Sequence, residues 1–416
     1  MSAPKVVVVG GGVIGVSCAY YLAHGGADVT LLERERIGAG ASSGNAGTVS
    51  PGHAPLNKPG RIAEAVRQML DPTSPLYVHP SWNPGLWRWL IGFARSCTAA
   101  HVEAAMGVMA PLGKESLALF DDLMAEERIE CGYRRDGYYD VCASEGGLGE
   151  AREEAALARR YGYGPELLDG DDLRRRESEL GLHTIGGVFY PEAATMDPGL
   201  FLARLTRAAE RHGARVSQHV DVASVMTEGG RAKGVAIKGG GMEPADAVVV
   251  ATGPFSLEIA ALLGTKLPVQ PGKGYHQDIP IGPNGAPPLR IACVLHETAV
   301  FCTPYETFVR LAGTMEFSGM NLVMRRARLD QLSRAARLFL PRLGTARPVS
   351  EWCGLRPMSV DGVPIVGPLP GVEGVSVATG HGMLGLTLAP VTGELIANHV
   401  LGREDARLAG VSPGRF

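Results

Sequence analysis

The sequence predicts an α/β protein, α+β overall, in which a parallel sheet is combined with a second, mainly antiparallel sheet. Three observations support this prediction. The valine run Val6 to Val9 is typical of a parallel strand buried on both faces, and it leads into a glycine-rich turn and a helical pattern. The apolar run Ala247 to Ala251 has the same character and ends in small residues. Between positions 278 and 345, short strand patterns alternate with one helix, which indicates a separate sheet.

The first valine run is followed by Gly10, Gly12 and Gly15 in the pattern G-x-G-x-x-G. A helix is predicted over Val13 to Gly25 and a second strand over Val29 to Leu32. Glycine allows the tight turn, and it lets a pyrophosphate approach the backbone N–H groups at the helix N-terminus, where the dipole is positive. This segment therefore predicts a Rossmann-like dinucleotide-binding unit.

Glu33 ends the second predicted strand, 18 residues after Gly15. A carboxylate at this position accepts hydrogen bonds from an adenosine ribose and repels a 2′-phosphate. The sequence therefore predicts an unphosphorylated dinucleotide, and NAD and FAD both satisfy the pattern.

Two further segments are predicted to contact the same ligand. Gly38 to Gly47 consists mostly of small and hydroxyl residues, which let the backbone lie flat against a planar ring while Ser42, Ser43 and Asn45 offer hydrogen bonds. The alternative for this segment is a flexible surface loop. The run Ala251-Thr252-Gly253 follows a predicted parallel strand and provides the second contact.

Length and charge narrow the class of protein. A chain of 416 residues forms two or three compact units, and 43 acidic against 40 basic residues give no electrostatic reason to expect nucleic acid. The seven cysteines are widely spaced without a C-x-x-C pair, which predicts reduced thiols, no metal site and no disulfide framework. With no basic leader before the first strand, the predicted location is cytoplasmic.

A tryptophan-rich region leaves two alternatives open. Helices are predicted over Arg61 to Leu70 and Leu86 to Cys97, with Trp82, Trp87 and Trp89 in or beside the second. The region either packs onto a substrate domain as a lid, or lies on the inner face of a membrane with its basic side chains toward the head groups. Tryptophan at helical spacing favours packing.

The remaining predicted elements follow in chain order. The predicted strands are Gly137 to Ala143, Gly187 to Tyr190, Ala214 to Ser217, Val220 to Thr227, Gly234 to Lys238, Leu289 to Val294, Ala299 to Thr303, Phe308 to Leu311 and Val375 to Thr379. The predicted helices are Leu148 to Tyr161, Asp171 to Glu179, Pro198 to His212, Leu329 to Phe339, and a C-terminal helix that Gly380 to Gly385 opens and that runs to Leu401.

Seven segments of the chain match the motifs of a known enzyme family, in the order in which that family has them. They are Gly10 to Gly15 with Glu33, Ser43 to Pro51, Ala251 to Gly253, Lys273 to Tyr275, Gly354 to Pro357, Asp361 to Pro364 and Gly380 to Gly385. Together they resemble the FAD-dependent D-amino-acid oxidase family, and most closely its bacterial D-amino-acid dehydrogenase branch. The resemblance covers nearly the whole chain. It implies a Rossmann-like FAD-binding domain (1–60, 198–264 and 351–416) with a discontinuous second, mainly antiparallel-sheet substrate domain (61–197 and 265–350).

The resemblance also implies the cofactor and its contacts. FAD is expected to be non-covalent, because Cys353 falls one position away from the cysteine that attaches FAD in sarcosine-type relatives. The expected contacts are Gly10, Gly12, Val13, Ile14, Gly15, Glu33, Arg34, Ser42, Ser43, Asn45, Ala46, Gly47, Val222, Ala251, Thr252, Gly253, Gly380, His381, Gly382, Met383, Leu384 and Gly385.

The implied activity is oxidative deamination of D-amino acids to 2-oxo acids and ammonia, with hydride transfer from Cα to flavin N5 and electrons passed to a quinone or other carrier. Arg356 matches the family's carboxylate anchor, since a planar guanidinium grips a carboxylate with two hydrogen bonds. The alternative for Arg356 is a structural ion pair. Tyr275 is expected to contact the substrate through its hydroxyl. Arg310 stands where sarcosine-type oxidases place a lysine over the flavin, which predicts slow reaction with oxygen.

No acid or base residue is assigned, because His276 and His381 are expected to be satisfied by backbone groups. Three other functions remain open: a D-proline or hydroxy-D-proline dehydrogenase, a glycine or sarcosine-type oxidase that uses oxygen, and a non-catalytic flavoprotein subunit. The last would lack a carboxylate anchor, so Arg356 and Tyr275 argue against it.

Overall fold

The computed structural model describes residues 3–60, 62, 67–69, 71, 73–80, 82–282, 289–343 and 346–416. The predicted helix Arg61 to Leu70 lies mostly outside the described residues. The strands are β1 Lys5–Val9, β2 Asp28–Glu33, β3 Thr48–Val49, β4 Leu76–Val78, β5 Tyr138–Cys142, β6 Glu166–Asp169, β7 Gly186–Tyr190, β8 Ala194–Thr195, β9 Arg215–Gln218, β10 Val222–Glu228, β11 Arg231–Ile237, β12 Met242–Pro244, β13 Ala247–Val250, β14 Val269–Pro280, β15 Ala292–Leu295, β16 Val300–Pro304, β17 Phe308–Phe317, β18 Ser350–Ser359, β19 Ile365–Pro368 and β20 Val375–Thr379.

The helices of the described residues are α1 Val13–His24, α2 Pro84–Ser96, α3 Ala99–Glu126, α4 Glu145–Arg160, α5 Gly170–Arg176, α6 Pro198–Arg211, α7 Ser256–Leu262, α8 Arg326–Phe339, α9 Ala389–Val400 and α10 Leu408–Val411. Helix α6 begins where predicted, because the Asp197 side chain accepts hydrogen bonds from the N–H groups of Gly199 (2.8 Å) and Leu200 (2.9 Å). Pro198 occupies its first position, where no N–H group is needed.

The first sheet has six strands in the order β19-β20-β13-β1-β2-β9. All its pairs are parallel except β19 with β20. Helices α1, α6 and α9 pack together on one face, over a core that contains Val6, Val8 and Val29. Both valine runs of the sequence therefore lie at the centre of this sheet, as predicted, because parallel strands are buried on both faces.

The second sheet follows the order β18-β14-β17-β16-β15-β5-β7-β6, with β4 paired to β17. Its pairs are antiparallel except β15 with β5 and β17 with β4. Helix α8 packs against it through Leu329, Leu332 and Phe339. The predicted combination of a Rossmann-like parallel sheet with a mainly antiparallel one is confirmed. The predicted domain boundaries remain a prediction, and strand β18 lies in the second sheet.

Strands β14 and β18 of the second sheet and the longest helix of the described residues were not predicted. Strands β14 and β18 pair over ten positions, from Val269 opposite Ser359 to Asp278 opposite Ser350. Both contain proline and glycine, which lower strand propensity. Helix α3 contains Pro111, a residue that normally ends a helical pattern.

Candidate active site

The turn after β1 has the backbone geometry that a pyrophosphate needs. Gly10 has φ +110°, and its N–H group donates to the Leu32 carbonyl (2.8 Å). A Cβ atom added at Gly15 would overlap the Gly10 carbonyl oxygen, so α1 can approach β1 this closely only through glycine. Helix α1 begins after Gly12, which offers no capping side chain, so the N–H groups that follow that of Val13 at its positive end are left open to a ligand.

Glu33 lies at the end of β2 beside this turn. Its Oε2 accepts from the Gly11 N–H group (2.6 Å) and its Oε1 from the Glu35 N–H group (2.8 Å). A carboxylate has about four lone-pair sites, so two remain for ribose hydroxyls. Ser42 Oγ accepts from the Val13 N–H group (2.9 Å), which connects the segment 38–47 to the start of α1.

A single cavity of about 1100 Å³ runs from this turn to the second sheet. The predicted site residues that line it are Gly10, Gly12, Val13, Ile14, Glu33, Arg34, Ser42, Asn45, Ala46, Val222, Ala251, Thr252, Gly253, Tyr275, Arg356, His381, Gly382, Met383, Leu384 and Gly385. Gly15, Ser43, Gly47, Arg310 and Gly380 are not among its lining residues. The cavity therefore joins the predicted nucleotide site to the predicted substrate site.

The segment Gly380 to Gly385 lies directly beside β18. The Gly382 N–H group donates to the Pro357 carbonyl (2.8 Å), and His381 forms a backbone bridge with Met358. The prediction that this segment opens the C-terminal helix was wrong by several residues, since α9 begins at Ala389. The residues from 380 to the start of α9 form turns, because Gly380 and Gly382 adopt positive φ.

The two histidines differ in their partners. His276 Nδ1 donates to the Gly44 carbonyl (2.9 Å), as expected, and burial together with the charge of Arg310 lowers the pKa of His276 to about 4. His381 instead pairs its Nε2 with the Thr392 hydroxyl (2.9 Å), so the prediction of a backbone partner was wrong for His381. Its Nδ1 has no partner among the described residues, and burial lowers the pKa of His381 to about 3. Both rings are neutral at physiological pH.

Arg356 projects from β18 toward the cavity. Its Nη1 donates to the Thr314 carbonyl (2.8 Å), and its guanidinium lies over Gly274 of β14, where an added Cβ atom would overlap it. No carboxylate of the described residues pairs with it, and burial lowers its pKa to about 10. The structural ion pair considered as an alternative is therefore absent from the described chain. A partly buried guanidinium without a counter-ion among the described residues is suited to bind an anion.

Tyr275 also lines the cavity, but its hydroxyl donates to Glu316 Oε2 (2.7 Å). Glu316 is fully buried and also receives Lys273 Nζ (3.1 Å) and Arg325 Nε (3.0 Å). Burial and then the carboxylate of Glu316 raise the pKa of Tyr275 above its ordinary value. The ionic group around Glu316 fixes the ring of Tyr275. Sequence reasoning missed this group, although Lys273 lies two residues before Tyr275.

The structure does not bring Arg310 together with Arg356 and Tyr275. Its guanidinium binds Asp278 through Nε to Oδ1 (2.8 Å) and Nη2 to Oδ2 (3.0 Å). Although burial raises the pKa of Asp278, the hydrogen bonds and charge of Arg310 hold it below its ordinary value. Arg310 contacts the backbone of the segment 43–45 and is not among the residues that line the cavity.

A second ionic group lines the same cavity, formed by Asp140 on β5, Glu154 on α4, His296 directly after β15, and Lys58. His296 Nδ1 binds Asp140 Oδ2 (2.9 Å), and Lys58 pairs with Glu154. Burial lowers the pKa of His296, but the hydrogen bond and charge of Asp140 raise it more, to about 9. No sequence motif marks these residues, because they come together only through strand pairing. The described residues contain no group of three or more side chains placed to hold a metal ion.

The class of protein follows from three features: a Rossmann-like sheet with an open helix N-terminus, an acidic residue at the end of β2, and a cavity that reaches a second sheet. Together they define a dinucleotide-dependent oxidoreductase. The residues present fit FAD, because glycine at 10, 12 and 15 keeps side chains out of the turn and Glu33 retains acceptor sites. Residues 5–399 match the family model described as DAO, FAD-dependent oxidoreductase. The chain belongs to this family, and it is an FAD-dependent enzyme.

Relatives match the chain over nearly its full length. A D-amino acid dehydrogenase of Methylobacterium nodulans is 36% identical over 406 residues, 96% of each chain. One of Xanthobacter autotrophicus is 33% identical over 419 residues, 99% of each chain. Among solved structures, glycine oxidase from Bacillus cereus gives a TM-score of 0.78 at 23% identity over 98% of each chain. That likeness supports the shared fold.

Proposed function

We propose that this enzyme oxidises D-amino acids to 2-oxo acids and ammonia. The observation that carries the proposal is Arg356, a partly buried guanidinium that lines the cavity without a carboxylate partner among the described residues. The relatives named D-amino acid dehydrogenase support the same substrate class. FAD bound in the cradle of 10–15 and 380–385 would accept the hydride from Cα.

The chain's own residues have three roles in this proposal. Arg356 binds the substrate carboxylate with two parallel hydrogen bonds and fixes Cα relative to the cofactor. Tyr275 forms a fixed wall, because Glu316 holds its hydroxyl. No side chain is assigned as a base, and His276 and His381 stay neutral, so the substrate amine must itself be neutral when hydride leaves Cα. Activity therefore rises with pH until the bound amine is deprotonated.

The test is anaerobic mixing of the yellow enzyme with a panel of D-amino acids, L-amino acids, D-proline, glycine and sarcosine. Bleaching of the flavin band by D-amino acids is the expected result. Bleaching by glycine or sarcosine alone, or by no member of the panel, would overturn the proposal.

The FAD is proposed to be non-covalent, and it should therefore be released by acid. Burial raises the pKa of Cys353, which makes its thiol a poor nucleophile.

We infer that the electrons pass to a quinone or another carrier and not to oxygen. The names of the relatives support this inference. Arg310 gives this inference no support, because its guanidinium is held by Asp278 and does not line the cavity. After anaerobic reduction, a soluble quinone or dye should reoxidise the flavin rapidly and air slowly. Prompt reoxidation by air with stoichiometric hydrogen peroxide would exclude a dehydrogenase.

We also propose that α2 touches a membrane surface. Trp89 is buried and donates to the Met358 carbonyl (3.1 Å), so packing accounts for this tryptophan. Trp82, Trp87 and Ile91 are exposed, with Arg88 beside them. No helix of the described residues is long and apolar enough to cross a membrane. Anionic vesicles should sediment the enzyme, and Trp82→Ser/Trp87→Ser should abolish this, whereas Leu182→Ser, an exposed apolar control elsewhere, should not.

A further inference from the structure

Four consecutive carbonyl oxygens in the segment 43–46 accept hydrogen bonds from side chains of the second sheet and of the turn between β16 and β17. Arg310 Nη1 donates to the carbonyls of Ser43 (3.4 Å) and Asn45 (3.1 Å). His276 Nδ1 donates to the Gly44 carbonyl (2.9 Å), and the Tyr305 hydroxyl to the Ala46 carbonyl (3.1 Å). Each carbonyl of this segment therefore points toward the second sheet.

The N–H groups of the same peptide units must point the opposite way. In a planar trans peptide, the carbonyl of one residue and the N–H group of the next are antiparallel. The N–H group of Asn45 donates to the Ser42 carbonyl (3.2 Å), and that of Gly47 to the Asn45 side chain (2.8 Å). Those of Gly44 and Ala46 have no acceptor among the described residues. Gly44, Asn45 and Ala46 all line the cavity.

The two open N–H groups belong to the two peptide units whose carbonyls Arg310 binds. A cation at a carbonyl oxygen polarises the whole peptide unit, which makes its N–H group a stronger donor. The cation is itself fixed in place, because Asp278 holds it with two hydrogen bonds and the rings of Tyr305 and Phe308 lie 5.3 Å and 5.6 Å from its central carbon. Arg310 therefore acts on the cavity through the backbone, without reaching it.

We propose that Arg310 is a positioning residue that prepares the N–H groups of Gly44 and Ala46 to donate to the polar edge of the FAD ring system. Donors of this kind stabilise negative charge, and reduction adds electrons to that ring system. Arg310 thereby raises the reduction potential of the bound cofactor. The proposal depends on the FAD dependence of the family and not on which amino acid is the substrate.

The test compares Arg310→Met with the parent holoenzyme by two measurements, the two-electron reduction potential against a reference dye and the dissociation constant of FAD. Loss of the polarised donors should weaken binding of reduced FAD about tenfold more than that of oxidised FAD, an effect of the size of one hydrogen bond, and so lower the potential by about 30 mV. Arg415→Met is the matched control. Arg415 also grips an aspartate, Asp361, through Nε (2.8 Å) and Nη2 (3.2 Å), and it donates to backbone carbonyls, but it does not line the cavity.

A change of opposite sign separates the proposal from a merely structural role. Asp278→Asn removes the counter-charge of Arg310 while leaving an oxygen to accept from its Nε, so the polarisation increases and the potential should rise. Arg310→Lys keeps the charge with fewer hydrogen bonds, and its potential should fall between those of the parent and Arg310→Met. If Arg310→Met does not fold, the reduction potentials of Asp278→Asn and Arg310→Lys test the proposal. The proposal is overturned if the potential stays as in Arg415→Met, or if Asp278→Asn lowers it.

Discussion

Replacing Arg356 by methionine should separate substrate binding from folding stability, because the two depend on this residue with opposite sign. Its guanidinium is partly buried, donates to one backbone carbonyl and has no carboxylate partner among the described residues. Burial lowers its pKa from 12.5 to about 10. A base whose pKa falls on folding disfavours the folded state while it is charged.

The two effects can be given sizes. The fall in pKa corresponds to about 3 kcal/mol at 1.36 kcal/mol per pH unit, and the lost hydrogen bond to the Thr314 carbonyl offsets about 1 kcal/mol of it. Arg356→Met should therefore stabilise the substrate-free protein by about 2 kcal/mol. Loss of a buried, two-pronged contact with a carboxylate costs about 2–5 kcal/mol of substrate binding, which is about 30-fold to 4000-fold in affinity.

The assay is rapid-mixing reduction of the flavin under anaerobic conditions, with a D-amino acid and with the amine that lacks its carboxylate. The apparent dissociation constant of the amino acid should rise by the factor above, while that of the amine should not change. Denaturant unfolding of the variant gives the stability. An equal loss for both substrates, or parent-like binding of the amino acid, would refute the assignment of Arg356 as carboxylate anchor. A large fall in stability would refute the argument from its pKa.

Two further predictions follow from the same structure. Gly12→Val should fold but bind no FAD, because a Cβ atom added there meets only Ser42 Oγ, at 3.2 Å, but would occupy the place of the pyrophosphate. Gly15→Val should not fold, because its side chain would overlap the Gly10 carbonyl. Thermal unfolding and flavin absorbance distinguish the two variants, and a yellow Gly12→Val protein would contradict the proposed pyrophosphate site. The pKa of His296 is raised to about 9 in the folded protein, from an ordinary value of 6.5. Its ionic interaction therefore stabilises the fold fully below pH 6.5, and this contribution, at most about 3 kcal/mol, disappears as the pH rises through 9. Denaturant unfolding at pH 6 and 9.5 should therefore differ more for the parent than for His296→Gln, and equal differences would contradict the pairing with Asp140.

The sequence predicted the first sheet well, because its strands are local and apolar. The runs at 6–9 and 248–250 are buried, and the glycines at 10, 12 and 15 form a pattern whose physical reason can be recognised in the sequence. The same reasoning failed for β14 and β18. Their polar residues, such as Lys273 and Asp278, are buried only because partners on other strands satisfy them.

The role of Arg310 illustrates a second limit. Its position in the sequence predicted contact with the flavin, since alignment with relatives compares residue types and not directions. In the fold, its strand neighbour Asp278 turns the guanidinium toward the carbonyls of Ser43 and Asn45. Only the register of β14 against β17, which places Asp278 opposite Arg310, reveals this. A pair so far apart in the chain leaves no motif in a single sequence.

The placement of Arg356 relative to residues 380–385 would let the proposed carboxylate anchor keep a fixed separation from bound FAD. Pro357, the next residue in β18, accepts the Gly382 N–H group at 2.8 Å, and Met358 bridges to His381. Backbone hydrogen bonds therefore join the strand that carries the proposed carboxylate anchor to the segment proposed to contact FAD. Hydride transfer requires reacting atoms about 3–3.5 Å apart, a distance that flexible side-chain contacts would not maintain. Because the backbone sets this separation, substrate specificity can change through other residues that line the cavity while the reaction geometry is retained.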